Sequence, residues 1–228
     1  MIKAKDIIVG YGRAASRPPA SIFPDRARSA ARLKSNLPLV DSATIIAGPL
    51  SFSFKDGDCV MLRGRNGSGK TTLMKTVAGL LKPLSGTIET GGEAILVPTR
   101  IPKVKGFTIK DFVRTGMLAE SGAFKKLDSK AESLVDDAIR MMDLNQLADK
   151  DLSRISDGEF QKACVAAALT RNANVLMLDE PTAFLDVENR VMVLSTLQRL
   201  AHETGTTVIF STHDIQDGAL YSDSVLAL

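Results

Sequence analysis

One stretch constrains this chain more than any other: Cys59-Val60-Met61-Leu62, then Gly64-Arg65-Asn66-Gly67-Ser68-Gly69-Lys70-Thr71-Thr72. The first four residues form a continuous apolar run, the composition of a strand buried on both faces of a parallel sheet. The next nine fit G-x-x-x-x-G-K-[ST]. Leu73, Val77, Leu80 and Leu81 then recur at helical spacing, predicting a helix over 71–81 that stops before Pro83. Strand, glycine loop and helix in that order make a phosphate cradle. Gly64, Gly67 and Gly69 let backbone N–H groups turn inward where a Cβ would clash, and Asn66 and Ser68 stand among them as nucleotide-binding positions. The helix aims its positive N-terminal end at the bound oxygens. Lys70 reaches the β- and γ-phosphates as a point charge, Thr71 offers its hydroxyl to a Mg²⁺ ion, and Thr72 assists the phosphates.

Two further apolar runs, Val175–Leu178 and Thr207–Ser211, each follow a helical segment. Strand alternating with helix implies a parallel sheet with crossover helices. Asp179 and Glu180 emerge at the carboxyl end of the first run, where open α/β sheets bind their ligands. Asp179 is placed to hold Mg²⁺ through water. Glu180 points elsewhere and can polarise a water for in-line attack on the γ-phosphate. His213 follows the second run and, with the strands side by side, faces the γ-phosphate in a sensing or orienting role. Together these residues describe an α/β P-loop nucleoside triphosphatase that works with Mg²⁺.

Length and charge narrow the setting. The 228 residues suffice for one sizeable α/β domain and are short for two. A net charge of +3 implies neither nucleic acid nor a membrane surface without a local cluster, so no nucleic-acid partner is expected. Cys59 and Cys164 lie in apolar runs and read as buried small hydrophobes rather than a disulfide. Met1–Gly10 shows no secretory signal, and no apolar run approaches the ~18 residues of a membrane span. A cytoplasmic protein is expected, with any membrane part supplied by another chain.

Residues 2–11 read as a strand, and Leu50–Phe54 as a half-buried strand before an Asp56-Gly57 turn. Another strand region, Gly86–Val97, is interrupted at Gly91-Gly92. The segment 12–48 is irregular and rich in Pro, Ser and Ala, with a short helix expected near Ala27–Leu33. Its Arg13, Arg17, Arg26, Arg28, Arg32 and Lys34 favour a solvated loop, a contact to anionic headgroups or a partner subunit being the other reading. Residues 108–150 are mostly helical: Thr108–Asp111 resembles a capping box, and Leu134, Ile139, Met142 and Leu147 form an apolar stripe. Met141 and Met142 are assigned to the core in preference to a docking surface.

Ile155-Ser156-Asp157-Gly158-Glu159, before a helix over Phe160–Thr170, resembles the signature of the ABC transporter ATPases, usually Leu-Ser-Gly-Gly-Gln. Ala183-Phe184-Leu185-Asp186 is similar to that family's D-loop, Tyr11 to its adenine-stacking aromatic, and His213 to its H-loop histidine. The resemblance implies a RecA-like core over 1–100 and 151–228 that includes an antiparallel β subdomain. It also implies an α-helical subdomain inserted at 101–150. Within the family the pattern is most similar to importers of iron–siderophore, haem or cobalamin. It further implies a homodimer in which Ser156, Asp157, Gly158 and Glu159 of one chain meet the ATP on the other, with Asp186 at the interface. ATP-driven closure would then power integral-membrane permease subunits, served by a solute-binding protein, from the inner face of the membrane. A non-transport ATPase or a regulatory member of the family is the alternative.

Three departures stand out. Val97-Pro98-Thr99 falls where the family has a metal-linking glutamine, which leaves Thr99 as the candidate ligand. The 12–48 segment is longer than usual. Val225–Leu228 reads as a final strand where relatives continue, an expected open sheet edge.

Overall fold

In the computed structural model, residues 1–12, 43–121, 127–171 and 173–228 are described. The helix expected near Ala27–Leu33 and the six basic side chains of that segment lie outside them. Strands β1 (Ile2–Tyr11), β2 (Thr44–Phe54) and β4 (Ser85–Thr90) form an antiparallel sheet in the order β2-β1-β4. β3 (Cys59–Arg63), β5 (Ala94–Val97), β6 (Val175–Leu178), β7 (Thr207–Ser211) and β8 (Ser224–Ala227) form a parallel sheet in the order β5-β6-β7-β3-β8. β2 begins at Thr44, so the last residues of the segment read as irregular are strand, paired to Tyr11, Gly10 and Val9. The Gly91-Gly92 break separates strands of two different sheets, not two arms of a hairpin.

The helix α1 (Lys70–Val77) is sandwiched between the sheets. Leu73, Met74 and Val77 pack against Ile2, Ile7 and Val9 on one side and Val60, Leu62, Val175, Met177 and Ile209 on the other. The predicted helix is longer than the observed one because Gly79 takes φ 70°, and the N–H groups of Leu80 and Leu81 fold back onto the Lys75 carbonyl. A left-handed glycine there closes the last turn and ends the helix before Pro83 is reached. β3 alternates faces as its apolar run requires: Val60 and Leu62 face α1, while Cys59 and Met61 face the second core.

That second core lies under α2 (Ile109–Ser121), α3 (Ser129–Met141), α4 (Asp157–Leu169) and α5 (Val187–Thr204). The Thr108–Asp111 capping box is present: Asp111 N–H donates to Thr108 Oγ1 at 3.0 Å and Thr108 N–H to Asp111 Oδ2 at 3.2 Å. Along α3 the stripe holds at Ile139 and Met142 but not at Leu134. Val135, Ala138, Ile139 and Met142 are buried, whereas Leu134 is 44% exposed. Met141 is 46% exposed beside a fully buried Met142, so only one of the pair belongs to the core. α2 packs against α3 and α4, with the Phe112 and Phe160 rings 5.4 Å apart. α4 therefore belongs physically with the helices of 109–141 while its sequence leads directly into β6. Among the described residues no helix is long and apolar enough to cross a membrane.

Candidate active site

Register places the chemistry. Leu62 pairs with Ser211, and Leu178 with Phe210, so β3, β7 and β6 end together at one edge of the sheet. The loop 64–69, Asp179 and Ser211 are thereby brought to one point, the position that open α/β sheets use for ligands. A cavity of about 460 Å³ opens there, lined by Ile46, Asn66, Gly67, Gly69, Lys70, Thr71, Thr72, Asp179, Glu180 and His213.

Gly69 caps α1 at φ 102°, and a Cβ on it would lie 2.8 Å from Ile46 Cγ2. Only glycine permits both the left-handed turn and that close approach of β2. Lys70 Nζ donates to the carbonyls of Gly64 (2.7 Å) and Arg65 (3.1 Å), which holds its charge within the loop. Thr71 Oγ1 donates to Asp179 Oδ2 at 2.6 Å, and Ser211 Oγ donates to Asp179 Oδ1 at 2.8 Å. Ser68 Oγ is buried with no protein partner, an orphaned hydroxyl at the base of a loop whose backbone suits phosphate.

A hydroxyl and a carboxylate are hard oxygen donors, the type that Mg²⁺ takes. Among the described residues no three His, Cys, Asp or Glu side chains gather as a metal cage. The pair therefore fits a cation whose remaining ligands are phosphate oxygens and water, as for a nucleotide-borne Mg²⁺.

Glu180 has φ 56°, the left-handed region in which a non-glycine residue is strained by about 1–3 kcal/mol. Besides the Ala183 N–H, which donates to its carbonyl at 3.1 Å, three contacts hold it. Its N–H donates to Ser211 Oγ (2.9 Å), its carbonyl accepts from Gln161 Nε2 (3.2 Å), and Oε1 lies 2.7 Å from His213 Nε2. A carboxylate fixed against a histidine at the cavity wall is arranged to orient a water for attack on a phosphorus atom. Ser211, Gln161 and Ile46 escape the sequence reasoning. Ser211 was visible only as the last residue of an apolar run, and a single helical Gln carries no pattern.

The other candidate residues lie elsewhere. Tyr11 OH is 3.4 Å from Thr72 Oγ1, and its side chain, half exposed, adjoins α1 without lining the cavity. Ser156 caps α4: its Oγ accepts from Glu159 N–H (3.1 Å), while Glu159 Oε2 accepts from Ser156 N–H (2.7 Å). The Ser156 N–H is the main reason the Glu159 carboxyl is held below the ordinary carboxylate range, against partial burial. Asp157 pairs with Lys103 at 2.8 Å, and Lys103 Nζ also donates to the Ile155 carbonyl at 2.8 Å. None of Ser156–Glu159 lines the Lys70 cavity of the same chain.

Thr99 lines a separate cavity of about 400 Å³ with Arg100, Lys103, Asp157, Phe160, Gln161 and Cys164, and does not face the Thr71–Asp179 pair. Asp186 caps α5 by accepting from Asn189 N–H, which with the Asn189 side chain lowers its pKa. Just before it, Phe184 is 64% exposed at φ 65°, and Val187 is 61% exposed.

Residues 47–183 match the family described as ABC transporter. The chain is 34% identical over 192 residues to the petrobactin import ATP-binding protein FpuC of Bacillus anthracis, covering 78% of this chain and 71% of that one. Among solved structures it resembles a putative metal-chelate type ABC transporter in an inward-facing conformation. There the TM-score is 0.76 at 25% identity, covering all of this chain and 79% of the other. A dimeric ATP-binding cassette in a post-hydrolysis state, bound to ADP and Pi, shares the fold at TM-score 0.77 and 18% identity, covering all of this chain and 94% of that one. With a phosphate loop, a Mg²⁺-compatible Thr–Asp pair and a clamped Glu–His pair at one sheet edge, the chain belongs to the ABC transporter family, as an ATP-binding subunit that hydrolyses ATP.

Proposed function

We propose that this subunit powers import of a metal chelate of the iron–siderophore, haem or cobalamin type, by closing ATP between two copies of itself. The observation that carries the reading is a separation: within one chain the phosphate cavity has Lys70, Asp179 and Glu180 but lacks Ser156–Glu159. A second copy related by a twofold axis supplies each cavity with the other chain's signature, so that two equivalent sites form together. The exposed Phe184 and Val187 beside Asp186 give such an interface apolar surface to bury. The petrobactin importer relative and the metal-chelate transporter support the cargo class, and the dimeric cassette supports the assembly.

In this reading Lys70 and the loop N–H groups bind the β- and γ-phosphates, and Tyr11 stacks on adenine at the α1 end of the site. Thr71 and Asp179 hold the Mg²⁺, which when bound offsets phosphate charge. Glu180, oriented by His213, takes a proton from the attacking water. Ser156 and the N–H groups of Asp157 and Gly158, at the start of α4, bind the γ-phosphate of the partner's nucleotide. Loss of that phosphate releases the dimer, and the helices of 109–141 carry the movement to permease subunits at the inner face of the membrane. A solute-binding protein delivers the cargo. Glu180→Gln tests this: ATP turnover should fall by about 10²-fold or more, while size-exclusion chromatography with ATP and Mg²⁺ should show a stable dimer. Normal turnover, or a monomer under those conditions, refutes it.

A further inference from the structure

Glu180 is unusual in being held by its backbone as firmly as by its side chain. Relaxing φ from 56° would swing the carbonyl off Gln161 and the carboxylate off His213 together, since both are carried by the same Cα. The two backbone anchors come from different places. Ser211, fully buried at the end of β7, holds the N–H. Gln161, 6% exposed, comes from α4 and spends a buried amide on the carbonyl. A donor at that depth is retained where it meets an acceptor, because an unpaired one is costly. Gln161 stands four residues after Asp157, just over one helical turn or about 6 Å behind the first residue of the signature helix. Its helix is fixed at that end by the Ser156–Glu159 capping box and by Lys103, which pairs with Asp157 and donates to the Ile155 carbonyl.

The geometry points to Gln161 as a positioning residue for hydrolysis: its amide holds the Glu180 peptide left-handed, so that the seating of the signature helix sets the hydrolytic carboxylate of its own chain. This inference rests on the reading of Glu180 as the group that orients the attacking water. Gln161 does not line the phosphate cavity and acts only through Glu180. The Ala183 N–H also donates to the Glu180 carbonyl, at 3.1 Å, so loss of Gln161 loosens the residue without freeing it.

The test is steady-state ATP hydrolysis by Gln161→Met, which keeps length and burial without the donor. A second variant, Gln161→Glu, keeps length and polarity but as a carboxylate cannot donate. Loss of one neutral hydrogen bond predicts a fall in kcat of about fivefold to tenfold for Met and at least as much for Glu. KM and the Kd of a fluorescent ATP analogue should stay within about twofold, because the phosphate loop is untouched. A role in packing alone would spare kcat in folded protein, so both variants are assayed below their melting transitions. If Gln161→Met melts too early, Gln161→Glu carries the same reading. Unchanged kcat in the folded variants, or a change confined to KM, overturns the positioning role. Glu180→Gln serves as reference: if it hydrolyses ATP normally, the reading of Glu180 is what has failed. If it is inactive while Gln161→Met keeps wild-type kcat, only the role of Gln161 has failed.

Discussion

Ser211→Ala removes the hydroxyl that joins the Asp179 carboxylate to the Glu180 backbone N–H. Ser211 is completely buried; its Oγ donates to Asp179 Oδ1 at 2.8 Å and accepts from the Glu180 N–H at 2.9 Å. The bond to a carboxylate is worth about 1.5–3 kcal/mol, and a buried N–H left without an acceptor costs about 1–3 kcal/mol. Asp179 keeps Thr71 as a partner, so the lower halves of these ranges apply and the net loss is about 3 kcal/mol. For a domain of this size that lowers Tm by about 6–12 °C. The same change frees Asp179 to turn and Glu180 to leave φ 56°, so ATP turnover falls by at least about tenfold. Differential scanning fluorimetry of both proteins, with and without ATP and Mg²⁺, measures the first effect. The added stabilisation by ATP with Mg²⁺ over ATP with EDTA should shrink in the variant, since Asp179 is one of the two proposed metal donors. A Tm within about 2 °C of the parent would refute the reasoning, because the two bonds would then carry no net stability.

Two further outcomes follow from burial and capping. Burial pushes the Cys59 thiol up to about 12, helped by the charge of Asp223, and the Cys164 thiol up to about 12 against the opposing charge of Lys103. Both stay protonated, so intact-mass measurement after iodoacetamide at pH 8 should show no adduct on folded protein and two after unfolding in guanidinium. Glu159→Ala removes half of the capping box on α4 and should lower Tm by about 2–4 °C near neutral pH, equivalent to roughly 1 kcal/mol. The folded-state pKa of Glu159 lies below its ordinary 4.5, so this contribution is complete above that value and lost as pH falls through the folded one. The Tm difference between the two proteins should close in acid; a difference that persists there means the carboxylate is not its source.

The active-site motifs were legible because their chemistry dictates local order. A phosphate cradle needs glycines between a strand and a helix, and acids at a strand end need an apolar run before them, so Gly64–Thr72, Asp179, Glu180 and His213 all line the predicted cavity or its loop. Helical faces were less legible. Leu134 and Val135 are adjacent and both apolar, and only the position of α2 and α4 around α3 selects Val135 for the core. The end of α1 depended on a glycine at φ 70°, a choice between turn geometries that spacing does not express.

Local sequence order was enough for the parts that act as single segments: a loop that wraps phosphate, a strand that delivers carboxylates, a capping box that starts a helix. Their distances from one another came from packing. The alignment of Leu62 with Ser211 and Leu178 with Phe210 brings three separate strand ends to one cavity. Ile46 closes on Gly69 because α1 is pressed between two sheets, and Gln161 reaches Glu180 because α4 packs with the helices of 109–141. Those contacts join residues 19 to 149 positions apart, and no local propensity carries information over such a span. Burial and hydrogen-bond satisfaction, which exist only once the chain is folded, select them.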